Sequence, residues 1–301
     1  MSKAINFSRH GGIEVLEVVE VAKPEAGPGE VLVAVRAAAV NPLDSSIREG
    51  LMQSIYPVAA YPSGQGVDFA GVVESIGVGV VEFEVGAEVL GFLLPPGAAQ
   101  AEYVVAPVAQ VVAKPANVPW EVAGGLYTAG TAAYASVRAV GPQPGETVVV
   151  AGAAGGVGSI AVQLARRTGA KVIGIAGPAN HAWLSAHGVT QVAYGNQLVL
   201  DRPDVFIDVF GNGYVDLAIS LGVPPERINT VIDFAAAAKY GTRADGNRAA
   251  GTPQALAELA ALVDQGELEV PIAATFPLDQ VQDAFALLDQ RHTHGKIILR
   301  P

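Results

Sequence analysis

Residues 147–159 read TVVVAGAAGGVGS, and the question they pose is why a strand ends there. The β-branched run Thr147–Val150 has the pattern of a strand buried on both faces of a parallel sheet. It gives way to small residues that include Gly152, Gly155, Gly156 and Gly158. Glycines directly after a strand let the backbone turn sharply and approach something bulky. The continuation, SIAVQLARRTGAKVIGIAG, places apolar residues at Ile160, Val162, Leu164 and Ala165, stops at Thr168-Gly169, and enters a second β-branched run. Strand, glycine turn, helix and strand in that order make a dinucleotide-binding unit.

The glycine fingerprint of such units is G-x-G-x-x-G, and Ala153–Gly158 supplies glycine at its second and third positions and alanine at the first. Ala154, Gly155, Gly156 and Val157 are therefore the expected pyrophosphate contacts, with free N–H groups at the helix start facing phosphate oxygens. The alternative is a tight strand-to-helix turn with no ligand. An acid about 20 residues further on would bind the ribose 2′-hydroxyl of NAD and repel a 2′-phosphate. The stretch there, GIAGPANHAW, contains Gly177, Asn180 and His181 but no acid, which favours NADPH. His181 reads equally as a donor or as a solvated residue at a helix start.

Half of the 301 residues are apolar, enough for two modest domains with sizeable cores. There is no cysteine, so disulfides, thiolate metal sites and cysteine nucleophiles are all excluded. A net charge of −11, with no basic cluster longer than Arg166-Arg167, argues against nucleic-acid and membrane partners. The first residues, MSKAINFSRHGG, lack the apolar core of a signal peptide, and the run VLVAVRAAAV is broken by Arg36, so the cytoplasm is the expected location.

Short β-like runs (AINF, IEVLEVVEVA, EVLVAVRAAAV, VDFAGVVESIG, AEVLGF, AEYVVAP) fill the chain to about residue 115 and predict a mostly antiparallel β domain. From Pro119 a helical stretch runs to Gly141-Pro142, and strands then alternate with helices at 147–151, 171–175, 191–193, 205–209 and 228–232. That alternation predicts a doubly wound parallel sheet. A helix after Pro253 leads to a final strand, helix and strand, expected to return to the β domain.

Five collinear pieces resemble the medium-chain dehydrogenase/reductase superfamily, in its zinc-free quinone oxidoreductase branch: AAAVNPLDSSIREG (37–50), GQGVDFAGVVESIGVGVVEFEVGAEVLGF (64–92), AEYVVAP (101–107), AGAAGGVGSIAVQLARRTGAKVIG (151–174) and PIAATFPLDQVQDAFALLDQRHTHGKIIL (271–299). The resemblance implies a GroES-like β domain over 1–121 and 265–301, a Rossmann domain over 122–264, and an active-site cleft at their junction. It also implies that Asn41 and Val67 stand where zinc enzymes of the superfamily carry a cysteine and a histidine, so no metal is expected. By the same resemblance Asn41, Asp44 and Arg48 line or brace the site, though Asp44 also reads as a cap on the helix SSIREG. Tyr194 is placed beside the adenine and Phe210 near the nicotinamide; either could be core. The pattern departs from the family on the linking helix, where Ala132 replaces a nicotinamide-facing threonine and Tyr127 a proline, leaving Thr128 and Thr131 as nearby hydroxyls. Met52 occupies the place of the tyrosine that enoyl-thioester reductases use, and Tyr56 follows four residues later.

The expected function is an NADPH-dependent reductase acting on a small quinone or enone, with Asn41 holding the acceptor or the nicotinamide ribose and Tyr56 and Tyr127 as proton donors. A homodimer is the assembly considered. A biosynthetic enoyl reductase or cyclisation-linked reductase and a non-catalytic NADPH-binding protein are the competing readings.

Overall fold

A computed structural model describes residues 1–194 and 202–301, and the chain divides into two units. One gathers residues 1–128, 252–267 and 272–301; the other holds 129–251 and 268–271. The first unit begins with β1 (Ser2–Phe7), β2 (Leu16–Val21), β3 (Glu30–Val40), β4 (Ser63–Gly64), β5 (Asp68–Ile76), β6 (Glu88–Phe92), β7 (Tyr103–Pro107) and β8 (Val111–Ala113). The second unit supplies β9 (Thr147–Ala151), β10 (Lys171–Ala176), β11 (Thr190–Ala193), β12 (Val205–Asp208) and β13 (Ile228–Thr230). Two last strands, β14 (Ile272–Pro277) and β15 (Lys296–Arg300), belong to the first unit again.

In the first unit β3 is the organising strand. Its sequence EVLVAVRAAAV is apolar on both faces, and it pairs antiparallel with β5, β7 and β15. Its side chains join Phe69, Val73, Val89 and Val104 in one core cluster. The pairing of β15 sets Ile297 opposite Val40. Lys296 is thereby delivered to the end of β3, where the short helix α1 (Pro42–Arg48) begins. Pro42 at the first helical position makes Asn41 the N-cap, so Asp44 is not the cap but the third helical residue, reaching back to the Asn41 N–H.

The helix expected from Pro119 to Val140 comes as two, α2 (Trp120–Gly124) and α3 (Leu126–Val140). The break lies at Gly125, next to a glycine that passes so close to β3 that a Cβ on Gly124 would stand 2.5 Å from the Ala37 carbonyl oxygen. A further helix, Pro253–Asp264, is capped by Thr252, whose hydroxyl accepts the Ala255 N–H at 3.1 Å.

The second unit is a parallel sheet in the order β11-β10-β9-β12-β13. β9 lies at its centre, fully buried from Val148 to Ala151 as its β-branched run requires. Helix α4 (Gly156–Arg167) leads from it to β10, and α5 (His181–Ala186) leads from β10 to β11. Strand order reverses at β9, with β10 on one side and β12 on the other. In open parallel sheets a crevice at the carboxyl ends of the strands opens at such a reversal, and ligands bind there.

Candidate active site

The turn after β9 tests the glycine reading residue by residue. A Cβ on Gly158 would stand 2.0 Å from the Gly152 carbonyl oxygen, so only glycine lets α4 cross the turn this closely. Gly155 differs: a Cβ there meets only the Gly152 oxygen, at 3.5 Å, an ordinary contact. Nothing in the protein's own packing requires glycine at 155, and the space beside its backbone is open. No side chain caps α4, so the first-turn N–H groups of Gly156, Val157 and Gly158 are left for an anion. Ala154 is buried within the turn, and Gly155, Gly156 and Val157 are half-buried.

After β10 the chain makes a short turn over Pro178–Asn180 and enters α5. Gly177 precedes the turn, and the Tyr194 ring packs over it, 3.4 Å from where a Cβ would be. Tyr194 is 53% exposed at the end of β11, a surface ring and not a core one. Asn180 is half-buried, and the His181 Nε2 sits 3.3 Å from the Ala176 carbonyl oxygen. Gly177, Asn180, His181 and Tyr194 are thus neighbours at one strand end. Phe210 follows β12, half-buried, with its Cβ 3.1 Å from the Cβ position of Gly152.

In the first unit Asn41 is the hub of a buried polar cluster. Its side-chain oxygen accepts a hydrogen bond from the Lys296 ammonium, and its Nδ2 donates to the Asp68 carboxylate at 3.3 Å. Asp68 also accepts the Thr128 N–H at 3.1 Å and the Thr128 hydroxyl. Asp44 accepts the Asn41 N–H at 2.8 Å and lies 3.5 Å from Gln100 Nε2. Asn41, Asp44, Asp68 and Lys296 are each at most 4% exposed. Burial, with the Asp68 charge beside it, raises the Asp44 carboxyl from 3.8 to about 7. Burial also raises Asp68 and lowers Lys296, against the attraction between them. Both ends of the Asn41 amide are committed here, which suits an organising residue better than one that holds an acceptor directly.

Tyr127 is 6% exposed and stacks on Phe92 with ring centroids 3.8 Å apart. Burial first, then the Asp68 and Tyr56 charges, push its phenol above the ordinary range. Tyr56 packs beside Met52 against Phe7, Val15, Ile47 and Val58. Of the two hydroxyls near position 132, that of Thr128, a candidate cofactor contact, donates to Asp68, and that of Thr131, fully buried, accepts from Asn247 Nδ2 at 2.7 Å.

Sequence reasoning missed Asp68 and Lys296. A lone acid in the apolar run GVDFAGVV and a lone lysine before IIL were the available signals, since a charge inside a buried strand needs a partner.

Among the described residues no three His, Cys, Asp or Glu side chains gather as a metal site. Zinc does not fit around Asn41 either, because an ammonium already occupies its oxygen.

Residues 109–299 match the family model of zinc-binding dehydrogenases, and residues 27–116 match the alcohol dehydrogenase GroES-like domain. The quinone oxidoreductase of Pseudomonas aeruginosa is 32% identical over 330 residues, covering all of both chains. The NADPH-dependent alkenal/one oxidoreductase of Arabidopsis thaliana is 28% identical over 99% of this chain and 79% of its own. The structure of Escherichia coli quinone oxidoreductase complexed with NADPH superposes with a TM-score of 0.86 at 26% identity, covering 99% of this chain and 100% of that one. With a GroES-like unit, a parallel-sheet unit with a glycine turn, and these matches along its whole length, the chain belongs to the medium-chain dehydrogenase/reductase superfamily, in its zinc-free quinone oxidoreductase branch.

Proposed function

We propose that the protein is an NADPH-dependent reductase of quinones or activated alkenes that works without a metal. The observation that carries this reading is the turn after β9, where Gly158 is required by packing and Gly155 is not, so that the space at Gly155 is left for a ligand. When bound, NADPH supplies the hydride; a reduced quinone then takes one proton on oxygen, from a tyrosine hydroxyl or, where none reaches it, from solvent.

The residues of the chain bind and orient. Ala154, Gly155, Gly156 and Val157 hold the pyrophosphate; Gly177, Asn180, His181 and Tyr194 face the adenosine end; Phe210 lies toward the nicotinamide. Residues 174–183 carry no carboxylate of their own to bind the ribose 2′-hydroxyl and repel a 2′-phosphate. In the first unit Asn41 and Thr128 hold Asp68 in place, and Tyr56 and Tyr127 are the donors to a reduced acceptor. A homodimer in the cytoplasm is the assembly and location that go with this reading; light scattering checks the first.

The test is NADPH oxidation by the purified protein on addition of a simple quinone, with fluorescence titration of NADPH and NADH. NADPH should bind about tenfold more tightly, because neutral donors replace an arginine clamp and each charge-assisted bond is worth about 1.5–3 kcal/mol. Chelators should leave the rate unchanged. Equal affinities for the two dinucleotides, or no turnover with any quinone, would overturn the reading.

A further inference from the structure

Asp208 closes β12 with its side chain fully buried, and its side-chain hydrogen bonds run to the loop after β12 and to the last residue of β13. One carboxylate oxygen accepts the N–H groups of Phe210 at 3.0 Å and Gly211 at 2.8 Å. The other accepts the hydroxyl of Thr230 at 2.9 Å, the residue that closes the neighbouring strand β13. The Thr230 oxygen accepts in turn from the N–H groups of Ile232 at 3.3 Å and Asp233 at 3.0 Å. Asp233 then caps the helix Phe234–Tyr240 by accepting the Ala236 N–H at 3.0 Å. One continuous set of hydrogen bonds thus ties the loop after β12 to the loop after β13.

The loop held in this way is one that would not keep its shape alone. Gly211, Asn212 and Gly213 all have positive φ, at 79°, 59° and 80°. Asn212 is one of two non-glycine residues with positive φ among those described. The loop starts at Phe210, against Gly152, so it flanks the crevice at the reversal of strand order. Burying a carboxylate is unfavourable, and burial does raise the Asp208 carboxyl. An apolar strand end would be cheaper if β12 only had to pack.

We propose that Asp208 and Thr230 act as a pair of positioning residues, fixing the loop over residues 209–213 so that Phe210 meets the nicotinamide end of the dinucleotide. The proposal rests on the dinucleotide reading above. It concerns only one end of the ligand, because the residues facing the adenosine end lie on the far side of β9, after β10 and β11.

The experiment uses Thr230→Val, which removes the hydroxyl at nearly constant shape, with Thr230→Ser as the conservative control. Asp208→Asn, which keeps two acceptor bonds, is the second variant should the valine chain fail to fold. Each is measured for the affinity of 2′,5′-ADP, an adenosine-end fragment, for the affinity of NADPH, and for kcat with a simple quinone. Thr230→Val and Asp208→Asn should leave 2′,5′-ADP binding within about twofold while kcat falls about tenfold to a hundredfold and NADPH binds more weakly. Thr230→Ser should stay close to the parent protein. Equal losses for 2′,5′-ADP and NADPH would make the pair merely structural and overturn the proposal, as would an unchanged kcat. If the parent protein itself fails to bind 2′,5′-ADP, the dinucleotide reading falls; if it binds and the variants behave like it, only the positioning role falls.

Discussion

The ammonium of Lys296 rests on the side-chain oxygen of Asn41, 255 positions earlier in the chain, and the register of β15 against β3 puts it there. A buried cation is thereby matched to the Asp68 carboxylate through one shared amide. Neither charge is stable in that place without the other.

Removing the cation should therefore be costly. Lys296→Met leaves Asp68 and the Asn41 oxygen buried and uncompensated, and breaking one side of such a pair typically costs about 3–5 kcal/mol. Urea unfolding at pH 7 measures it. The double variant Lys296→Met/Asp68→Asn should recover part of the loss, and a single-variant loss below about 1 kcal/mol would show that the cluster is solvated.

The Asp44 carboxyl makes stability depend on pH. Because its pKa is raised on folding, from 3.8 to about 7, the folded state holds a proton that the unfolded chain releases, and stability falls as pH rises between those values. Asp44→Asn removes this slope. The advantage of the variant over the parent should grow by roughly 3 kcal/mol between pH 5 and pH 8, at about 1.4 kcal/mol per unit. Parallel stability curves for the two proteins would contradict the assignment.

The two glycines of the turn should respond in opposite ways. Gly155→Val should abolish NADPH binding and leave the melting temperature nearly unchanged, since its side chain enters open space. Gly158→Ala should destabilise the fold by about 1–3 kcal/mol or more, since its Cβ meets the Gly152 carbonyl. Calorimetry with and without NADPH separates the two, and an unfolded Gly155→Val would mean that the turn had no room to spare.

Quinones should be reduced faster than enoyl thioesters, because Met52 is packed against an apolar cluster and cannot donate a proton. Protonating carbon needs a positioned acid, worth about 10²–10⁴ in rate, whereas a reduced quinone protonates on oxygen. Tyr56→Phe should slow quinone turnover less than tenfold. Tyr127, with its phenol pKa raised, should add no alkaline limb to the pH profile. A several-hundredfold loss of enoyl reduction in Tyr56→Phe or Tyr127→Phe, with negligible quinone activity throughout, would favour a biosynthetic enoyl reductase.

What the sequence revealed was what is local. The strand, turn and helix at 147–167 follow from β-branching and glycine placement within one short window, and the structure keeps them. Asp44 reads as a cap because it directly precedes SSIREG, but Pro42 holds the first helical position and moves the cap of α1 back to Asn41. The cluster around Asn41 was only partly legible: its polar members come from the cap between β3 and α1 and from α1, β5, α3 and β15, and no periodicity links residues so far apart. Thr230 was invisible for the same reason, being an ordinary strand residue until β13 is laid beside β12.

The first unit is made from segments on both sides of the parallel-sheet unit, and this sets an order of assembly during synthesis. The parallel-sheet unit, nearly all within residues 129–251, is complete on the ribosome while the antiparallel sheet still lacks the strand that pairs with the end of β3. Until Lys296–Arg300 emerges, that edge of β3 stays open to other strands, and the carboxylate of Asp68 has no cation. Loss of residues 296–300 would therefore be felt first near residue 40, in a part of the protein made long before them.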